Sequence, residues 1–275
     1  MKKIKVLLVS ALLTLTFYSH ATLITVANDN ADNYGNVWSG NGGFGFNQWN
    51  FIVDPANGSA GGFLANKINN PDLNNVASSP NNKAWGSYAN GNGFNQFEAY
   101  RDFGSNALNN NGDSFQLSFE HGNITDGGSV GFVLRNQNIH NAIGDYNQQS
   151  RFEFGFIGGG SNYSIFDNYG VIDTGIAFTD AGLNLTLTLL SANQYQLDIF
   201  NANGNVFLQS RNGILKGSGS IDSVALYNRN SELANVYFNN LAITKSTSVP
   251  EPNTSALITS ALLLLIIRRK PNKKD

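Results

Sequence analysis

Leu183-Asn184-Leu185-Thr186-Leu187-Thr188-Leu189 alternates apolar and polar residues over seven positions, and Tyr195-Gln196-Leu197-Asp198-Ile199 repeats the pattern. Successive side chains of a β-strand point to opposite faces, so a period of two marks a half-buried strand with one face turned inward. Val206 and Leu208 resume the alternation after Asn203-Gly204. Asn and Gly both tolerate the positive φ of a tight hairpin, which places the turn at Asn203-Gly204. The same period runs outward from this hairpin through Phe115, Leu117 and Phe119, through Phe152, Phe154 and Phe156, and through Val236 and Phe238. Seven Asn-Gly steps, Asn111-Gly112 and Asn212-Gly213 among them, supply turn residues between such runs. No stretch of the body carries helical periodicity over a useful length. The pattern predicts an all-β chain, with roughly 12 to 14 strands in one antiparallel β-sandwich spanning residues 22–248.

Composition narrows the chemistry. The chain has 275 residues, with 42 Asn and 29 Gly, and only 13% are charged. The absence of cysteine excludes a disulfide scaffold, a thiol nucleophile and any Cys-ligated metal. A hydrophobic fraction of 41% is too rich for a disordered chain. The formal charge of −2 gives no electrostatic case for nucleic acid, but it is unevenly spread. Residues 22–248 carry 9 basic and 17 acidic side chains, a net charge of −8. An acidic body favours a neutral glycan over a polyanion unless calcium bridges the two.

The remaining basic residues lie at the two ends. Lys2, Lys3 and Lys5 precede the uncharged run Val6 to Tyr18, and Ser19-His20-Ala21 places small residues at −3 and −1. That is the form of a secretory signal peptide covering residues 1–21, cleaved before Thr22. At the other end, residues 249–275 begin with Val249-Pro250-Glu251-Pro252. An uncharged stretch to Ile267 follows, then Arg268-Arg269-Lys270. A helix over Ser255 to Ile267 is about 20 Å long, short of the ~30 Å hydrocarbon core unless the arginines snorkel. The basic cluster is expected to stay cytoplasmic. Taken alone, the segment also reads as a permanent transmembrane tail anchor.

These three parts, in this order, resemble the PEP-CTERM sorting domain of Gram-negative bacteria. The resemblance implies processing near Val249-Pro250-Glu251-Pro252 by an exosortase partner in the inner membrane. It further implies delivery to the cell surface or extracellular matrix, in an exopolysaccharide or biofilm setting. The order Gly131-Phe132-Val133-Leu134-Arg135-Asn136, Arg151-Phe152-Glu153-Phe154-Gly155-Phe156 and the closing Val236-Tyr237-Phe238-Asn239-Asn240-Leu241-Ala242-Ile243 is similar to concanavalin A-like, laminin G-like jelly rolls. That likeness implies a last strand returning beside the first, here Leu23 to Val26. Asn239 stands where many such relatives carry Asp, which weakens a metal role at that position.

Catalysis finds little support. Only His121 and His140 lie outside the signal, with no metal-pair or triad spacing. Glycosidases on this fold set paired carboxylates on alternate positions of one strand, about 5 Å apart. Here Glu98, Glu120 and Glu153 are followed two residues later by Tyr100, Gly122 and Gly155. A non-catalytic carbohydrate-binding role is therefore expected, with a structural matrix or adhesion protein as the alternative and a polysaccharide-active enzyme third. With Phe132, Leu134, Phe152, Phe154 and Phe156 inward, Arg135, Arg151 and Glu153 fall on the opposite face beside Gly131 and Gly155. Those three side chains make either a ligand face or an exposed cross-strand ion pair. Trp38, Trp49 and Trp85 are candidates for stacking on sugar rings, or else for core packing. The segment Asn28-Asp29-Asn30-Ala31-Asp32-Asn33 matches a calcium loop poorly. No metal ligands are assigned and no cofactor is expected, although scattered Asp and Asn leave a structural calcium open.

Overall fold

The computed structural model describes residues 22–232 and 234–247. Ile24–Ser246 forms one compact body. The signal segment 1–21, the sorting motif and the apolar tail within 249–275 lie outside the described residues.

The body is an antiparallel β-sandwich. Its eight-stranded sheet contains β1 (Thr22–Asp29), β3 (Asn57–Asn66), β4 (Lys83–Asn92), β6 (Ser114–His121), β11 (Leu183–Leu189), β12 (Gln194–Asn201), β13 (Val206–Ile214) and β15 (Val236–Thr247). The order is β13-β12-β11-β6-β15-β4-β3, with β1 also pairing β15. The seven-stranded sheet contains β2 (Trp49–Asp54), β5 (Gln96–Asp102), β7 (Ser129–Arg135), β8 (Ser150–Ile157), β9 (Asn162–Asp167), β10 (Gly170–Ala177) and β14 (Ser223–Arg229). Its order is β10-β9-β8-β7-β14-β5-β2. Fifteen strands among the described residues slightly exceed the predicted number, and the last strand does return beside the first.

The period-two residues do what their spacing predicts. Leu183, Leu185, Leu187 and Leu189 meet Phe115, Leu117, Phe132, Phe152 and Phe154 in one continuous core between the sheets. Asn203-Gly204 forms the β12–β13 turn, where Gly204 takes φ +70°. Asn212-Gly213, in contrast, lies inside β13, because Tyr195 of the paired strand crosses over it. A Cβ on Gly213 would sit 2.6 Å from Tyr195 Cε1, so glycine is required there by close approach and not by a turn.

Trp38, Trp49 and Trp85 belong to this core, with exposures of 6%, 4% and 0%. Trp49 comes from β2, Trp85 from β4 and Trp38 from the loop between β1 and β2. Trp38 stacks on Trp85 at 6.0 Å, and Trp49 meets both edge-on at 5.2 and 5.3 Å. The triad joins the two sheets and presents no indole face to a ligand. Beside it, Arg101 points inward from β5 and pairs with the equally buried Asp29. Its guanidinium lies 4.8 Å from the Phe46 ring centre and 4.9 Å from that of Trp49. Asp29 also accepts from the Tyr34 hydroxyl at 2.6 Å, so the densest Asp/Asn segment anchors the core with its first carboxylate. Among the described residues, no three His, Asp or Glu side chains gather as metal ligands.

Candidate functional site

Alternation also sets the outer face of the seven-stranded sheet. On β14, Val224 and Leu226 enter the core, while Ala225 and Tyr227 pack on the outer side with Tyr100, Val133 and Tyr146. Gly131 of β7 and Gly155 of β8 are directly paired, and the Tyr227 phenol lies across them. A Cβ at Gly131 would stand 2.8 Å from Tyr227 Oη, and one at Gly155 would stand 2.6 Å from it. Both glycines are therefore needed to seat this ring. Among the described residues, the Tyr227 hydroxyl has no hydrogen-bond partner.

The loop between β7 and β8, residues 136–149, folds back over this face and adds Tyr146, whose ring lies 4.5 Å from that of Tyr227. Three buried groups pin the loop. Arg135 donates from Nε to Gln148 O at 3.0 Å and from Nη2 to Ile139 O at 2.5 Å, with its guanidinium 5.0 Å over Tyr100. Glu98 accepts from Gly144 N at 2.8 Å, and also from the Gln96 amide and the Tyr100 hydroxyl. Asp145 accepts from Asn141 N and Ala142 N at 2.7 and 2.9 Å. Burial raises the Glu98 carboxyl above its ordinary range despite these donors, and burial likewise raises the Tyr146 and Tyr227 phenols.

The three charged candidates separate. Arg135 is fully buried beneath the loop and acts as its anchor. Arg151 leaves the face altogether. The β7–β8 register shifts so that Leu134 pairs with Phe152 and Arg135 with Ser150, which makes Arg151 an extra residue in a bulge. Its guanidinium donates to the carbonyl oxygens of Lys216 and Ala192 and to Asn193 Oδ1, tying the end of β8 to the β11–β12 turn. Glu153 alone stays on the candidate face. Its Oε1 takes a hydrogen bond from Ser150 Oγ and an ion pair from Lys216 Nζ, each at 2.9 Å. The expected Arg135–Arg151–Glu153 ion pair is replaced by Glu153–Lys216, because the bulge and the loop send each arginine elsewhere.

A groove of about 390 Å³ results. Tyr146, Tyr227 and Phe166 provide its apolar surfaces, and Glu153, Asn147 and Arg229 its polar groups. Arg229 lies against two rings, 5.0 Å from Phe94 and 5.3 Å from Tyr146, and gives Nη1 to the Tyr146 hydroxyl at 2.8 Å. Tyr146, Tyr227, Lys216 and Arg229 were not legible as site residues. The outward parity of Tyr227 and Arg229 around Leu226 was the one available signal.

A second groove, of about 420 Å³, lies on the outer face of the other sheet. There part of the polar lining is paired, Ser118 Oγ donating to Asn184 Oδ1, Asn240 to Ser118 Oγ and Asn184 to Asn205 Oδ1, while the Gln116 and Thr186 side chains have no partner among the described residues. The first groove leaves the Tyr227 hydroxyl, Glu153 Oε2 and part of Arg229 without partners among the described residues, and it differs from the second in holding charged groups, Glu153 and Arg229.

No protein-family model matches the chain, and no curated protein sequence does. Among solved structures it is similar to the VIP36 exoplasmic/lumenal domain in a Ca2+/Man3GlcNAc-bound form. That likeness has 6% identity and a TM-score of 0.43, and covers 76% of this chain and 87% of that one. It is also similar to the carbohydrate esterase vb_24B_21 of Shiga toxin-encoding bacteriophage phi24B, at 11% identity and a TM-score of 0.48. There the coverage is 82% of this chain and 100% of that one. The T. cruzi calreticulin globular domain matches at 12% identity and a TM-score of 0.46, over 70% and 82% of the two chains. At such identities and scores these likenesses say nothing of ligand or chemistry in this chain.

Proposed function

We propose that the chain is an exported, non-catalytic polysaccharide-binding protein, and that the groove on the seven-stranded sheet is its binding site. The observation that carries this reading is the juxtaposition of Tyr146, Tyr227 and Phe166 with Glu153, Asn147 and Arg229 in one open groove. Sugar rings combine an apolar C–H face with a rim of hydroxyls, and a site for them needs aromatic surface beside fixed hydrogen-bonding groups. Glu153 Oε2 is available to accept from a hydroxyl, and the Tyr227 hydroxyl to donate. Hydrolytic chemistry is disfavoured by distance. Glu98 and Glu153 share this sheet face, but β14 and β7 lie between their strands. Three interstrand spacings set them roughly 14 Å apart, well beyond a paired-carboxylate mechanism.

The ends of the chain supply the rest of the proposal. The signal segment 1–21 directs export, and the sorting tail from Val249 onward hands the chain to an exosortase for release at the surface or matrix of a Gram-negative bacterium. Binding of the purified protein to an array of polysaccharides tests the site. Uniformly blank binding, with and without Ca2+, would sink it. The mature mass in the native host tests the sorting, which is refuted by a mature form that keeps Arg268 to Asp275.

A second reading, a matrix protein that assembles without a small ligand, draws on β13. This edge strand of the eight-stranded sheet exposes Val206, Phe207 and Leu208 by 58%, 55% and 41%. Unpaired edges of that kind template strand addition. Reversible, concentration-dependent assembly with no glycan binding would favour it.

A further inference from the structure

The groove contains one charge that the fold leaves uncompensated. Glu153 is neutralised by Lys216 at 2.9 Å. Arg229 has no carboxylate within ion-pair distance among the described residues. Its Nη1 is taken by the Tyr146 hydroxyl, its Nη2 has no acceptor, and its Nε is buried without a partner. Nη2 is left to give an incoming carboxylate a charge-assisted hydrogen bond. Contacts with the Phe94 and Tyr146 rings, and not a protein counter-charge, place the guanidinium. Phe94 is itself 44% exposed and extends the apolar surface next to the cation.

We infer that the groove selects a carboxylated sugar, a uronic acid residue within a polysaccharide. The carboxylate sits on Arg229, and the ring hydroxyls face Glu153 and Asn147. This inference rests on the proposal that the groove binds polysaccharide and adds the class of sugar. The net charge of −8 on residues 22–248 argues by itself for a neutral glycan, yet it acts over the whole surface. Salt screens such long-range repulsion beyond about 8 Å, whereas a desolvated ion pair inside the groove is screened far less. An acidic protein that nonetheless holds a polyuronate does so through a local site, not through bulk attraction.

The test compares binding of the purified protein, at physiological salt, to a polygalacturonate and to the same polymer after chemical reduction of its carboxyl groups to alcohols. Reduction keeps the backbone and hydroxyls and removes only the charge. The expected result is a loss of roughly tenfold or more in affinity on reduction, as removal of a charge-assisted pair implies. Arg229→Gln should bind both polymers equally, and Arg229→Lys should restore part of the preference. Equal binding of both polymers by the unmodified protein overturns the uronate assignment and leaves polysaccharide binding standing. Binding of neither overturns the uronate assignment, and blank binding across the polysaccharide array overturns both. If Arg229→Gln fails to fold, the two-polymer comparison on the unmodified protein decides alone.

Discussion

Acidification should destabilise the body through His121, and a single substitution isolates the effect. His121 ends β6 with 1% exposure, its ring 5.0 to 5.5 Å from those of Phe119, Phe156, Phe178 and Tyr163. Nδ1 lies 2.6 Å from Gly122 O, which can only accept, so the ring proton sits on Nδ1. Nε2 is buried with no partner, and a second proton there would have no acceptor. Burial holds the imidazole at about 4, against an ordinary 6.5. The unfolded chain therefore binds the proton first as pH falls. The stability supplied by the neutral ring is fully present above about 6.5 and is lost as pH falls through about 4, amounting to about 3 kcal/mol in all. Between pH 8 and pH 5 the loss is about 2 kcal/mol. Glu98 and Glu120, whose carboxyls burial raises, shift the balance in the opposite direction. They are shared with a His121→Leu variant and cancel in the difference. Urea melts of both proteins at pH 8 and pH 5 give that difference directly. It should move by about 2 kcal/mol in favour of His121→Leu on acidification. A difference that stays constant across this range would refute the argument that the ring is buried neutral.

Two further substitutions test the geometry around the groove and the closing strand. Gly155→Ala drives a methyl against the Val130 carbonyl oxygen of the paired strand and to 2.6 Å from Tyr227 Oη, and should cost about 1–3 kcal/mol in thermal or urea melts, with a weakened groove; a change below about 0.5 kcal/mol would show that neither the paired backbone nor the phenol closes over this glycine. Asn239 is buried and uses both ends of its amide. Oδ1 accepts from Ala31 N at 2.9 Å, and Nδ2 donates to Val76 O and Lys83 O at 2.7 and 2.8 Å. Asn239→Asp would turn a carboxylate against two carbonyl oxygens and should destabilise by about 3 kcal/mol or more at neutral pH, recovering partly in acid; a neutral effect would mean that a cation or water bridges the site.

The parts of this molecule legible in its sequence are those where one physical signal acts alone. Leu183 to Leu189 and Phe152 to Phe156 alternate, and alternation by itself assigns a strand and its inward face. β3 and β4 were harder, since Gly58, Gly61, Gly62 and Gly86 replace the side chains that would have shown a period. Parity also has a limit that Arg151 makes plain. The outward assignment of Arg135, Arg151 and Glu153 follows from strict alternation, and one inserted residue at the β7–β8 pairing is enough to redirect Arg151. Arg135 obeys the alternation and is still not available to a ligand, because residues 136–149 return over it. Charge on an outer position thus reads equally as a ligand contact or as a loop anchor, and only the path of the following loop separates them. The same ambiguity works in reverse for Arg101, an inward residue on β5 whose partner Asp29 lies far away in sequence. The useful distinction among the body's arginines is consequently where each guanidinium lies as well as which acceptors it has. Arg101 has the Asp29 carboxylate, Arg135 and Arg151 have carbonyl oxygens, and Arg229 has one hydroxyl for a whole guanidinium. Arg135, Arg151 and Arg211 also keep a buried nitrogen without a partner, so it is the place of Arg229 on the open groove that directs the search for a ligand to it.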